Sequence, residues 1–170
     1  HVGDAGASAL AAALGRGALP RLKFLYLGNT ALGDAGLVAL APALRRRPAL
    51  ENLGLGSNPF GDEGLDALVA PPPPAGAPPP TTGGLAKLKV LGLGHTQITD
   101  AGCATLAAAL DSGALPALEE LYLHGIPASD AKIHTVHETR ANYRRHAAER
   151  EQFLRRAESS LKTRNVLLPL

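Results

Sequence analysis

The residues that first suggest chemistry are His134, His137 and Glu138, because two histidines three positions apart on a helix can share a metal ion. A zinc-hydrolase arrangement needs a second histidine four residues after the first, with a glutamate between them as general base. In His137-Glu138-Thr139-Arg140-Ala141 that place is held by Ala141, and no Asp or Cys nearby completes a ligand set. The single cysteine, Cys103, aligns with Leu37 and Leu65, so it reads as a small buried hydrophobe rather than a nucleophile. No G-x-x-x-x-G-K loop is present to cradle phosphates, and no serine has the context of a nucleophile. The expectation is a chain that is not an enzyme, with no catalytic, cofactor-binding or metal-binding residues and no cofactor.

A second group of residues could bind phosphates. Arg144-Arg145 and Arg155-Arg156 lie 11 residues apart, which returns to nearly the same face of a helix, and Arg140 and Lys162 fall close to it. Such a stripe suits nucleic acid or an anionic surface. Against it, Glu151–Arg155 and Glu158–Lys162 are i,i+4 pairs typical of a solvated helix, and a net charge of +2 favours no particular partner. Nucleic acid is therefore not expected. The run Arg45-Arg46-Arg47 falls at a helix C-terminus, where the dipole favours cations.

The elements that would position any of these residues recur. Leu22, Leu25, Leu27, Thr30 and Leu32 are followed by Gly33-Asp34-Ala35-Gly36, and about 28 residues later come Leu50, Leu53, Leu55, Asn58 and Phe60, then Gly61-Asp62-Glu63-Gly64. A third copy is Leu88, Leu91, Leu93, Thr96 and Ile98, then Thr99-Asp100-Ala101-Gly102, and a weaker fourth is Leu118, Leu121, Leu123 and Ile126, then Ser129-Asp130-Ala131. The pattern L-x-x-L-x-L-x-x-(N/T)-x-L resembles a leucine-rich repeat, and its period and G-D-x-G resemble the ribonuclease-inhibitor-like subclass, as in the repeat domains of NOD-like receptors and the GTPase-activating protein for Ran. The resemblance covers residues 1 to about 131. It implies an α/β solenoid, a right-handed β-α superhelix with a short parallel sheet on its concave face. Ran GTPase-activating proteins use an arginine on strand-to-helix turns. The matching turns here are Gly28-Asn29, Gly56-Ser57, Gly94-His95 and His124-Gly125, without Arg, so a GTPase-regulating role ranks low.

Each repeat predicts a short strand, a tight turn and a return helix, with Asn58, Thr30 and Thr96 satisfying turn backbone and Ile126 unable to do so. Asp4, Asp34, Asp62, Asp100 and Asp130 stand at helix starts, where a carboxylate can cap free backbone N–H groups and suits the positive end of the helix dipole. An apolar share of 45% allows a core, and with only 4% aromatic residues Leu and Ala must build it. The lone cysteine, with no cysteine-rich caps and no signal peptide, points to an intracellular and cytoplasmic protein, with association to an organelle or large complex open. No apolar run suggests a transmembrane segment.

The expected domains are repeats over 1–128, with an incomplete first repeat and further repeats upstream, then a long helix over 129–165 and an apolar tail over 166–170. A Pro-rich insertion occupies 71–84, and its 71–80 portion has the polyproline character of a ligand for a Pro-binding domain. Exposed strand positions on the concave face are Phe24, Tyr26, Asn52, Val90, Glu120, Tyr122 and His124, with glycines between two tyrosine walls. Ile133 and Val136 should cap the last repeat, and Arg140 should take the helix out of register. The helix is then expected to dock a partner through Tyr143, Phe153, Leu154 and Leu161, with Arg144, Arg145, Arg155 and Arg156 beside them. These features indicate a non-catalytic protein-protein interaction or scaffold module that binds one or more proteins. The alternatives are a structural subunit of a large assembly anchored by this helix, or a binder of nucleic acid or anionic surfaces.

Overall fold

Alternation along very short strands turns Leu53, Leu91 and Leu121 inward and leaves their neighbours on the open side. The computed structural model describes residues 2–69 and 85–165, with the side chains of 157 and 160–165 outside that description. The Pro-rich insertion and the apolar tail fall outside the described residues. The chain runs α1 (Gly3–Gly15), β1 (Phe24–Tyr26), α2 (Asp34–Arg45), β2 (Asn52–Gly54), α3 (Asp62–Val69), β3 (Val90–Gly92), α4 (Asp100–Asp111), β4 (Glu120–Tyr122) and α5 (Asp130–Asn165). The strands form one parallel sheet in sequence order, with Phe24, Asn52, Val90 and Glu120 in register. Each helix packs on the next, α1 on α2 through α4 on α5. The expected α/β leucine-rich-repeat solenoid with a long C-terminal helix is the observed architecture.

The core between sheet and helices is a stack of repeat leucines. Leu37, Leu40 and Leu44 of α2, Leu65 and Leu68 of α3, and Cys103 and Leu106 of α4 meet Leu53, Leu55, Leu91 and Leu93 from the strands, all nearly inaccessible. Each leucine contributes about 1.5–3 kcal/mol by leaving water. Cys103 is part of this core, and burial first, then the carboxylates of Asp100 and Asp62, raises its thiol pKa. A reactive thiolate is disfavoured there.

Turn chemistry follows the strand. Asn29, Ser57 and His95 have φ of 55°, 57° and 56°, and Gly125 has 70° at the same place. The buried amide of Asn58 donates to Leu27 O and Leu55 O (both 2.7 Å) and accepts from Thr30 N and Leu32 N (both 3.0 Å). It therefore serves its own turn and the preceding one. The Thr30 and Thr96 hydroxyls donate to Leu27 O and Leu93 O, each at 2.8 Å.

The repeat aspartates do accept from free backbone N–H groups, and those groups belong to the next repeat. Asp34, Asp62 and Asp100 are first helical residues and Asp4 is the second of α1, and the carboxylates of these four reach forward to the next repeat rather than capping their own helices. Asp4 accepts from Gly33 N (2.7 Å), and Asp34 from Gly61 N (2.8 Å) and Gly64 N (2.7 Å). Asp62 accepts from Thr99 N and Oγ1 (2.8 and 2.6 Å), and Asp100 from Ser129 N and Oγ (2.6 and 3.0 Å). The second glycine of G-D-x-G makes room for the incoming carboxylate: a Cβ on Gly36 would lie 2.4 Å from Asp4 Oδ1, and one on Gly102 2.2 Å from Asp62 Oδ1. Arg47 is buried past the end of α2, and its guanidinium donates to Leu14 O at the end of α1. That contact is with the preceding helix, not with the dipole of its own.

Two outcomes test this frame. Asn58→Ala removes the side-chain donor to Leu55 O, one of two side-chain donors to Leu27 O and the acceptor of two turn N–H groups, and should cost about 3–5 kcal/mol in chemical denaturation. The Ser129 hydrogen bonds, backbone first, hold the Asp100 carboxyl below its ordinary pKa of 3.8. A depressed folded pKa means the stabilisation is present above 3.8 and is lost as pH falls through the folded value. The melting-temperature gap between wild type and Asp100→Asn should therefore be largest near neutral pH and close in acid.

Candidate protein-interaction surfaces

The open side of the sheet carries a charge ladder just ahead of the strands, where Lys23, Glu51, Lys89 and Glu119 alternate in sign. Glu51 sits between the lysines, 3.1 Å from Lys23 Nζ and 3.5 Å from Lys89 Nζ. The Lys23 hydrogen bond and charge, with help from Lys89, lower its pKa. The ladder was not drawn from the sequence, although the aligned register of the four repeats contains it.

Along the strands, Phe24 is 55% exposed and Tyr26 is 68% exposed. Glu120, Tyr122 and His124 are exposed, and Asn52 and Val90 are half-buried. The two tyrosines do not stand as parallel walls. The Tyr26 ring leans over the sheet, so that a Cβ on Gly54 would lie 2.6 Å from its Cδ1. The Tyr122 hydroxyl instead donates to Glu120 on its own strand, and that bond is the first cause of its raised pKa. At the ends of the strands, the His95 and His124 rings meet edge to face at 4.9 Å, each set against the other repeat's turn glycine, Gly125 and Gly94.

At the last repeat α5 replaces a further strand–helix unit. Ile133 and buried Val136 pack on the core, as expected. Docking continues past Arg140, contrary to the sequence reading. The Arg140 guanidinium donates to Glu119 O (2.9 Å), and the half-buried Tyr143 lies over Gly113, whose added Cβ would fall 2.8 Å from the tyrosine hydroxyl. The earlier strands show what Arg140 replaces. Lys23 O accepts from Glu51 N and Asn52 N, Glu51 O from Lys89 N and Val90 N, and Lys89 O from Glu119 N and Glu120 N. The arginine thus takes the carbonyl that a fifth strand would use.

Beyond Tyr143 the described side chains of α5 are exposed, including Arg144, Arg145, Arg155 and Arg156. Phe153 is 72% and Leu154 61% exposed. Arg155 pairs with Glu151, while Leu161 lies on the same helix with its side chain outside the described set. His134 pairs with Glu138 at 3.3 Å, and the half-buried His137 has its pKa lowered, mainly by burial. Among the described residues no three His, Cys, Asp or Glu side chains are grouped to hold a metal, and no helix is long and apolar enough to cross a membrane.

Parallel strand–helix units, inward leucines and an amide or hydroxyl serving each of the first three turns define a leucine-rich-repeat solenoid, a class of protein-protein interaction module. The leucine-rich repeat family model matches residues 19–41, 50–69 and 84–107. These three matched stretches make the chain similar to the leucine-rich-repeat proteins of the ribonuclease-inhibitor-like type, and it spans about a fifth of the length of the curated relative it matches. It is 34% identical over 111 residues to the ribonuclease inhibitor of Sus scrofa, which covers 60% of this chain and 21% of that protein. In outline it is similar to the actin-binding site 2 structure of leiomodin-1, with a TM-score of 0.59 at 14% identity, covering 88% of this chain and 95% of that one.

The Arg140 contact yields one expectation. Arg140→Ala leaves Glu119 O without this donor and should cost about 1–3 kcal/mol. Hydrogen exchange should speed up in β4 and in Ile133–Tyr143 while the first two repeats keep their protection.

Proposed function

We propose that the chain is a non-catalytic interaction module that docks a partner protein through the part of α5 beyond Tyr143, working inside the cell as a scaffold or a subunit of a larger assembly. The observation that carries this reading is a continuous helix of 36 residues whose described side chains after Tyr143 leave the stack, with Phe153 and Leu154 adjacent and exposed. Covering each of those side chains would contribute about 1.5–3 kcal/mol. Ala147, Leu154 and Leu161 recur at seven-residue spacing, the period of a seam against another helix. The intracellular placement rests on the lone buried cysteine.

The concave face supports a second reading, because Phe24 and Tyr26 offer contact area with little side-chain entropy to lose. Purified actin is the first defined partner to try, since the similar leiomodin-1 segment is an actin-binding site and the likeness in fold spans most of both chains.

Binding should be lost on Leu154→Glu with Leu161→Glu and kept on Tyr26→Ala with Tyr122→Ala. The readouts are direct binding to purified actin and affinity capture followed by partner identification. The opposite pattern would move the function to the concave face. Binding through the apolar stripe should survive a rise in salt, whereas a steep loss would point to phosphate contacts by the arginines.

A further inference from the structure

The sheet ends at β4 with half of its edge closed and half open. In the earlier repeats, two backbone donors of each strand and turn reach the next strand. Leu27 N and Asn29 N bond Gly54 O and Gly56 O, Leu55 N and Ser57 N bond Gly92 O and Gly94 O, and Leu93 N and His95 N bond Tyr122 O and His124 O. The equivalent donors of the last repeat are Leu123 N and Gly125 N, and neither has an acceptor among the described residues. The Asp ladder ends in the same place. Asp130 occupies the position from which Asp4, Asp34, Asp62 and Asp100 hold the next turn, and no next turn is bonded to it among the described residues.

These groups border a groove of about 440 Å³ between the β4 edge and the first two turns of α5. Leu121, Leu123, Ile126 and Ile133 give it apolar lining, while His124, Asp130 and His137 stand around it. Arg140 closes the end nearest Glu119. Carboxylates outnumber cations on the exposed edge itself. Glu119, Glu120 and Asp130 are exposed carboxylates, Glu120 accepts from the Tyr122 hydroxyl, and Arg140 bonds Glu119 O rather than either glutamate carboxylate. The Lys23–Glu51–Lys89 ladder shows how such an acid is matched in this sheet, by a lysine on the neighbouring strand at the same level.

We propose that the β4 edge is a second docking site, which takes an extended basic segment of a partner protein as a fifth parallel strand. The occupant places a Lys or Arg near Glu119 and Glu120. Apolar side chains two and four residues later face the groove beside Leu121 and Leu123. Two of its carbonyls accept from Leu123 N and Gly125 N, and an N–H or amine near the end of the segment meets Asp130. Backbone pairing supplies affinity, and the basic residue with its alternating apolar partners supplies selectivity. The site is separate from the free part of α5, so it can fail or succeed independently of the docking reading above.

The probe is a synthetic peptide with the sequence of residues 87–95, Lys-Leu-Lys-Val-Leu-Gly-Leu-Gly-His, which already has this pattern. Titrated into the full chain, it should bind and slow amide exchange at Leu121, Leu123 and Gly125. The same peptide with Gly92→Pro loses the N–H aimed at Leu121 O and should bind about tenfold more weakly. Glu119→Lys with Glu120→Lys in the protein, at two exposed positions checked by an unchanged melting temperature, should weaken binding by a similar factor. A peptide carrying Lys87→Glu and Lys89→Glu should recover it. Phe153→Glu with Leu154→Glu should leave peptide binding unchanged. Equal affinity for the proline peptide, protection away from β4, or a sedimenting dimer whose β4 amides are protected without peptide would overturn the proposal. The last outcome would assign the edge to a second copy of the chain.

Discussion

A carboxylate that reaches forward by one repeat holds this fold together as a stack. Leucine burial supplies most of the favourable free energy, but burial alone does not fix how one unit sits on the next. The Asp34 bonds to Gly61 N and Gly64 N, repeated by Asp62 at Thr99 and Asp100 at Ser129, set each turn against the helix start before it. Because each contact joins only nearest neighbours, stability is passed along the chain unit by unit, as in other repeat architectures. The sheet register, with Leu25, Leu53, Leu91 and Leu121 side by side, then follows from the same translation.

Nearly all of the architecture was legible, because a 28-residue echo of leucines specifies strand, turn and helix together. The buried Asn58 and Cys103 could be placed from that alignment alone. What the alignment could not show was the direction of side chains across the repeat boundary. A first-turn aspartate looks like a cap for its own helix in sequence, and only the stacked geometry shows Gly36 and Gly102 clearing space for the aspartate behind them. Arg140 was similarly opaque. An arginine at an inner helical position reads as a break in register, yet its length lets the guanidinium reach Glu119 O while the helix keeps packing to Tyr143. Tyr26 and Tyr122 were correctly placed on the open face, but their different leans depend on Gly54 and Glu120.

Arginine is used twice in this stack to bind backbone carbonyls. Arg47 bonds the carbonyl at the end of α1, and Arg140 bonds the carbonyl before β4. Arg140 satisfies a carbonyl that has no following strand to receive it, whereas Leu14 O also accepts from Gly17 N and gains Arg47 as a second donor. The guanidinium suits this task because it carries several donors in one plane and stays charged at any relevant pH. Where these side chains stop, solvated surface begins, so the sites available for partners are set by how far the stack is closed.

The junction of Tyr143 with Gly113 gives α5 the mechanics of an oar held in a rowlock. About 22 residues lie outboard of Tyr143, a length of roughly 33 Å at 1.5 Å per residue. A tilt of about 10° at that contact moves the far end by roughly 6 Å, close to one helical turn. Whatever the blade of the oar holds is therefore aimed by the last contacts of α5 with the stack, Arg140 at Glu119 O and Tyr143 at Gly113, and small adjustments there become large displacements at a distance.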